Sequence, residues 1–236
     1  MNHNLGIVFI HGAGLNCSIW NETIQEINIP SLAIDFSKIK TDVKAVGSVS
    51  FDDYVYSTIN QIKTWDKDHF ILVTHSIGAC VGLKVAGHFK KELKGFVAVG
   101  SVIPKYGNSF ISSLPFPQKL LMPVILKLFG TKPPRKSIES ELCNDLTAEQ
   151  TLKIVNDFTP ESKALYTTKI YFNLPDTQRL YIKLKNDKSM PVSFQDQMAE
   201  NLKSDRVITL DSGHLPMMSK PKQLASILLD FLFNRG

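Results

Sequence analysis

The 236-residue sequence is poor in cysteine: Cys17, Cys80 and Cys143 are widely scattered, with no CxxC and no histidine at metal-binding spacing. An odd, unpatterned set excludes a disulfide framework and a zinc site and points to a reducing compartment. The chain also lacks any apolar run approaching the ~18 residues that a membrane span requires. Lys119 and Lys127 interrupt its most hydrophobic stretch, Phe116 to Phe129. No basic region followed by a separate hydrophobic one precedes the first apolar segment, so no secretory leader is expected and the cytoplasm is the expected compartment. Internal repeats and low-complexity tracts are missing, and nothing reads as a metal cluster, a phosphate loop or a haem ligand. No cofactor, metal or membrane partner is therefore expected.

What is present is an ordinary globular composition, long enough to bury roughly three quarters of its unfolded surface. The net charge of +5 does not imply a nucleic-acid partner. Lys84, Lys90, Lys91 and Lys94 fall beside apolar residues without interleaved aromatics, as a solvated helix face does.

Short β-branched runs alternate with segments of helical period, the pattern of a parallel sheet covered by helices. Strands are predicted at Gly6–Ile10, Ser31–Asp35, His69–Thr74, Gly95–Gly100, Arg179–Leu184 and Arg206–Leu210. Their near-continuous apolar character suits burial on both faces. Helices are predicted at Ser18–Ile27, Phe51–Lys63, Ile77–Lys90, Val192–Leu202 and Lys222–Asn234. From Pro104 to Pro175 no strand is legible, and five prolines fall between Pro104 and Pro133. Short helices at Gln118–Phe129, Ser137–Asn144, Ala148–Asp157 and Glu161–Thr168 make 104–175 a helical cap inserted between core segments 1–103 and 176–236. The fold class read from this pattern is α/β: a mostly parallel central sheet flanked by helices, with a helical lid.

Three motifs carry chemistry. The strand ending Val73-Thr74-His75 runs straight into Ser76-Ile77-Gly78 and an apolar helix. That is the setting of a nucleophile elbow, in which a sharp turn exposes a serine hydroxyl above the sheet. The residues two before and two after the serine must be small; Gly78 is, whereas Thr74 stands where glycine is usual. Capping the following helix is the plainer role for a serine here. The first strand ends in His11-Gly12-Ala13-Gly14, a loop that supplies one backbone oxyanion donor while the residue after the nucleophile supplies the other; these are Ala13 and Ile77. The same loop, with Asp35 ending the next strand, approaches a dinucleotide fingerprint. However, Cys17 occupies the third glycine position, and that reading leaves Ser76 and His214 unused. His214, after the last strand, stands where a triad base belongs, and Asp187, after the penultimate strand, where its acid belongs. Asp211, three residues from His214, is the local competitor. His11 and His75 read as packing or loop residues, and His3, His69 and His88 as surface positions.

With these residues in place the chain resembles the α/β-hydrolase group of plant methyl esterases and hydroxynitrile lyases. Phe9-Ile10-His11-Gly12-Ala13 with Trp20, Phe51-Asp52-Asp53-Tyr54, Asp187-Lys188 through Pro191, Phe194 and Gln195, and Ser212 through Pro221 each resemble a stretch of that group. The resemblance implies Ser76, Asp187 and His214 as the triad. It implies an esterase rather than a lyase, because the lyases carry a lysine after the histidine and a threonine in the oxyanion loop. Those positions here are Leu215 and Gly12.

The expected function is hydrolysis of a small to medium hydrophobic ester through an acyl-enzyme. The alternatives are a lyase or C–C bond hydrolase on the same triad, or a ligand-binding receptor with little turnover. Substrate contacts are expected from Gly12, His75, Leu215, Phe116 and Met122, and the apolar cap residues Phe110, Leu114, Leu121, Ile125 and Phe129 are further candidates.

Overall fold

A computed structural model describes residues 4–42 and 48–234; His3 lies outside them. In chain order the elements begin with β1 (Leu5–Ile10), α1 (Asn21–Ile27), β2 (Ser31–Ala33), α2 (Phe51–Lys63), β3 (His69–His75), α3 (Gly78–Ala86) and β4 (Leu93–Val99). Short helices follow: α4 (Phe110–Ser113), α5 (Gln118–Phe129), α6 (Arg135–Ser137) continuing into a π-helical turn at Ile138–Leu142, α7 (Ala148–Asp157) and α8 (Lys163–Thr167). The chain closes with β5 (Gln178–Leu184), α9 (Val192–Leu202), β6 (Arg206–Leu210), α10 (Pro216–Ser219) and α11 (Pro221–Phe233).

The strands form one sheet in the order β2-β1-β3-β4-β5-β6, and all five pairings are parallel. The central strands are buried on both faces, as their unbroken apolar character requires. One core cluster joins Val8, Leu72, Phe96 and Tyr181 to α2, α3 and α9. The other joins Phe9, Ile71, Val97 and Ile182 to α11. Going from β1 to β2 the chain moves outward, and β3 then returns to the other side of β1. The carboxyl ends of β1 and β3 therefore flank the point where the winding reverses, the place where open α/β sheets bind ligands.

All six strands appear where the sequence pattern predicts them, and α2, α5, α7 and α9 have the predicted limits. Ser50 starts α2 through a capping box with Asp53, whose backbone N–H and carboxylate both engage it at 3.2 and 2.8 Å. Elsewhere the boundaries shift for local reasons. The first predicted helix is a 3₁₀ turn at Cys17–Trp20 followed by α1. Helix α3 stops at Gly87 rather than running on to Lys90. Strand β4 ends before Gly100, whose φ of +46° leaves the extended region. No strand occurs between β4 and β5 among the described residues. The three cysteines are free, and burial pushes the Cys80 thiol up to about 12. No helix among the described residues is long and apolar enough to cross a membrane.

Candidate active site

Four loops meet at the carboxyl edge of the sheet, following β1, β3, β5 and β6. Ser76, directly after β3, is half-buried and has a φ of +53°. A non-glycine residue in that region is strained by about 1–3 kcal/mol and persists only where its surroundings hold it. Here they do. Ser76 N–H donates to the Val99 carbonyl at 3.3 Å, and its own carbonyl accepts from Val102 N–H at 3.1 Å and Ala79 N–H at 3.3 Å. Gly78 lies against the first loop, where a Cβ would overlap the His11 carbonyl oxygen. Thr74 fits in place of the usual glycine for two reasons. Its hydroxyl donates to the Val97 carbonyl at 3.2 Å, and its methyl occupies the space that Gly82, without a side chain, leaves on α3.

The loop after β1 passes beside Ser76. A Cβ on Gly12 would stand 3.0 Å from Ser76 Cβ and 3.0 Å from His75 Nδ1, so only glycine lets the backbone pass this closely. Gly14 has a φ of +77°, and the Phe158 ring fills the space where a side chain would be. Thr159 N–H then donates to the Gly14 carbonyl at 3.0 Å, tying residues 158–159 to this loop. Among the described residues, no group engages the backbone N–H of Ala13 or of Ile77.

Asp187 and His214 form a buried pair, with His214 Nδ1 2.7 Å from Asp187 Oδ2. A carboxylate accepts, so Nδ1 carries the proton and Nε2 presents its lone pair. The other carboxylate oxygen accepts from Ser189 and Met190 N–H, both at 2.8 Å. Gln195, fully buried on α9, fixes the root of this loop by bonding the Leu184 N–H and the Leu184 and Met190 carbonyls at 2.7 to 2.9 Å. Asp211 faces Asn186 instead, at 2.5 Å. Asp145, for which the sequence gives no signal, holds the histidine loop by accepting from Gly213 N–H at 2.6 Å. It sits 68 positions from that partner and reads locally as part of the turn before α7.

His75 is fully buried beneath His214, their ring centroids 4.7 Å apart, and its Nε2 donates to the His214 carbonyl at 2.9 Å. Its Nδ1 has no partner. Burial first, then the neighbouring His214, holds its pKa well below the usual histidine value. Because the folded value lies below the unfolded value of about 6.5, the associated stability is present above that pH and is lost as acid protonates the unfolded chain. His75→Gln should therefore flatten the acid limb of the stability curve below pH ~6.5 by up to about 1.4 kcal/mol per pH unit, as read from urea midpoints. Parallel slopes for the two proteins would exclude His75 as a source of acid sensitivity.

The remaining sequence candidates are spread out. Leu215 is buried in the core cluster of α11. Phe116 is 71% exposed and Met122 half-buried on α5, which places the Phe116 ring at the surface rather than in an apolar pocket. Phe110, Leu114, Tyr166 and Ala13 are partly buried against the core cluster that contains Ile77 and Leu165. Asp35 caps a local turn by accepting from Ser37 N–H through one carboxylate oxygen. His88 is exposed and His69 half-buried, its Nδ1 without a partner. Two surface hollows, of about 350 and about 10 Å³, are lined by none of Ser76, Asp187 and His214.

Known proteins are similar to this chain over most of its length. Methylesterase 7 of Arabidopsis thaliana is 22% identical over 97% of this chain and 96% of its own length. Norfluorocurarine synthase 1 of Strychnos nux-vomica is 26% identical over 94% and 92%. Among solved structures, an extracellular alpha/beta-hydrolase from a Paenibacillus species superposes with a TM-score of 0.85 at 21% identity, covering 96% of this chain and 98% of the other. Polyneuridine aldehyde esterase superposes with a TM-score of 0.79 at 19% identity, covering 97% and 99%. The model of the alpha/beta hydrolase family matches residues 7–227. Through that match, which runs from within β1 to beyond β6, the chain belongs to the alpha/beta hydrolase family.

Proposed function

We propose that the protein is a serine hydrolase cleaving carboxylic esters, with Ser76 as nucleophile, His214 as base and Asp187 as the acid that orients it. The observation that carries this reading is the buried Asp187–His214 pair, 2.7 Å apart, at the same sheet edge as a serine on a φ of +53°. The names of several relatives support it: methylesterases from Arabidopsis thaliana and a monoacylglycerol lipase from Bos taurus.

In the reaction Ser76 Oγ attacks the ester carbonyl carbon and His214 Nε2 takes its proton. The negative oxygen forms opposite the Ala13 and Ile77 N–H groups, each such donor lowering the barrier by roughly 2.7–4 kcal/mol. The alcohol leaves with the proton from His214. Water, deprotonated by the same imidazole, then attacks the acyl carbon, releasing the acid and restoring the serine. Ser76 Oγ makes no hydrogen bond among the described residues; in unliganded sites such bonds are commonly long and tighten with substrate.

Residues 104–175 act in this reading as the cap. Phe158 and Thr159 dock on Gly14, Asp145 holds Gly213, and Tyr54 of α2 anchors Glu161 with a hydrogen bond of 2.7 Å. Phe110, Leu114 and Tyr166, apolar residues of the cap packed against the same core cluster that contains Ile77, favour a small to medium apolar ester. No cofactor or nucleic acid enters the chemistry, and the cytoplasm remains the compartment we propose.

A fluorophosphonate tests nucleophile activation without a chosen substrate. The native protein should gain one adduct by intact mass, and Ser76→Ala none. A folded native protein that stays unmodified would remove the hydrolase reading.

A further inference from the structure

Helix α5 presents far more apolar surface than its place in the fold uses. Leu126 is its only fully buried residue, with Met122 half-buried one turn earlier on the same row. Successive residues advance about 100°, so positions four apart form rows along the helix. Next to the buried row stand Leu121, Ile125 and Phe129, and beyond them Leu120, Val124 and Leu128. All six are exposed, Leu120 by 60%, Leu128 by 67% and Phe129 by 73%. Scattered apolar surface residues need no explanation, but a contiguous double row does.

The charge along this stretch of sequence, up to Glu139, is of one sign. Residues 105–138 contain Lys105, Lys119, Lys127, Lys132, Arg135 and Lys136, and no aspartate or glutamate. Arg135 is paired with Glu139 at 2.7 Å. Lys119 and Lys127 occupy the row bordering Leu120, Val124 and Leu128; both are exposed, and neither forms an ion pair among the described residues.

An apolar face with lysines along its edge matches a helix lying in a bilayer interface, apolar rows in the acyl boundary and ammonium groups at the phosphates. A second copy of the chain would bring two cationic stretches together. A nucleic acid would leave the double apolar row uncovered. We propose that α5 and its cationic flanks dock the protein on an anionic phospholipid surface, which revises the expectation of no membrane partner while requiring no spanning segment. The proposal stands apart from the catalytic reading, since none of these residues belongs to the triad or the oxyanion loop.

The test is co-sedimentation of the full chain with vesicles of phosphatidylcholine, with and without phosphatidylserine. Affinity should be about tenfold or more higher for the anionic vesicles and should fall as salt rises. Lys119→Glu combined with Lys127→Glu should weaken it at least about tenfold. Leu120→Asp combined with Leu128→Asp should abolish binding while the thermal midpoint stays at the parent value, because both side chains are already exposed. Failure to bind either vesicle, equal binding to both, or parent-like binding by the variants overturns the proposal. So does a sedimentation-velocity dimer that the leucine variant dissociates, since the face would then cover a second copy.

Discussion

Asp187→Asn should lower kcat by about 10⁴-fold with little change in KM, while the fold survives. The amide oxygen can still accept from Ser189 and Met190 N–H, so the loop after β5 keeps its shape. What changes is the group facing His214 Nδ1. An amide NH₂ there favours the tautomer that places the proton on Nε2, the nitrogen that receives one from Ser76 in the proposed mechanism. An amide also cannot stabilise the imidazolium that forms as the serine attacks. Asp211→Asn is the matched control, because Asp211 bonds Asn186 rather than the histidine, and it should leave turnover near that of the parent. Steady-state kinetics on the ester turned over best, with thermal midpoints for both variants, decide between them. The reverse ranking would assign the acid to Asp211.

Gly78→Ala should have the second largest effect, through geometry rather than chemistry. A Cβ at Gly78 would overlap the His11 carbonyl oxygen and lie 3.1 Å from Ile10 Cγ2. A carbonyl on the backbone does not swing aside as a side chain does. Either the start of α3 or the loop after β1 must move, and these two elements carry the Ile77 and Ala13 N–H groups proposed as oxyanion donors. Displacing one donor should lower kcat by about 10²–10³-fold, and overpacking should destabilise the protein by about 1–3 kcal/mol. Gly87→Ala is the control, since the nearest atom to its Cβ, the Lys84 carbonyl oxygen, lies at an ordinary 3.5 Å. Parent-like turnover in a stable Gly78→Ala protein would show that the two loops do not depend on this contact.

Such effects were legible in the sequence only where they are local. The run from Phe70 to Gly78 specifies a buried strand, a sharp turn and an apolar helix within a few residues. Periodicity gives α2 and α9 their limits, because an amphipathic face and its caps are properties of contiguous chain. Chain order pointed to Asp187 and His214, since strands in alternating succession place their following loops on one edge. Local sequence preferred Asp187 but left Asp211 as a competitor; in the structure Asp187 lies 2.7 Å from His214 while Asp211 meets Asn186. Asp145 gave no signal at all, because its contact with Gly213 depends on how the helices between β4 and β5 settle on the sheet. The same packing leaves Phe116, Leu121, Ile125 and Phe129 exposed, where composition suggested an apolar pocket lining.

The sequence by itself determined the fold class and the succession of strands, and it pointed to Ser76, Asp187 and His214 as the proposed triad, since each is written in hydrophobic period or in a short motif. Tertiary structure alone decided that Thr74 is tolerated because Gly82 yields it space, that His75 is buried neutral beneath His214, and that one face of α5 meets solvent. These outcomes depend on which distant surfaces close against each other. Close packing is a property of pairs of elements, and no single stretch of chain encodes it.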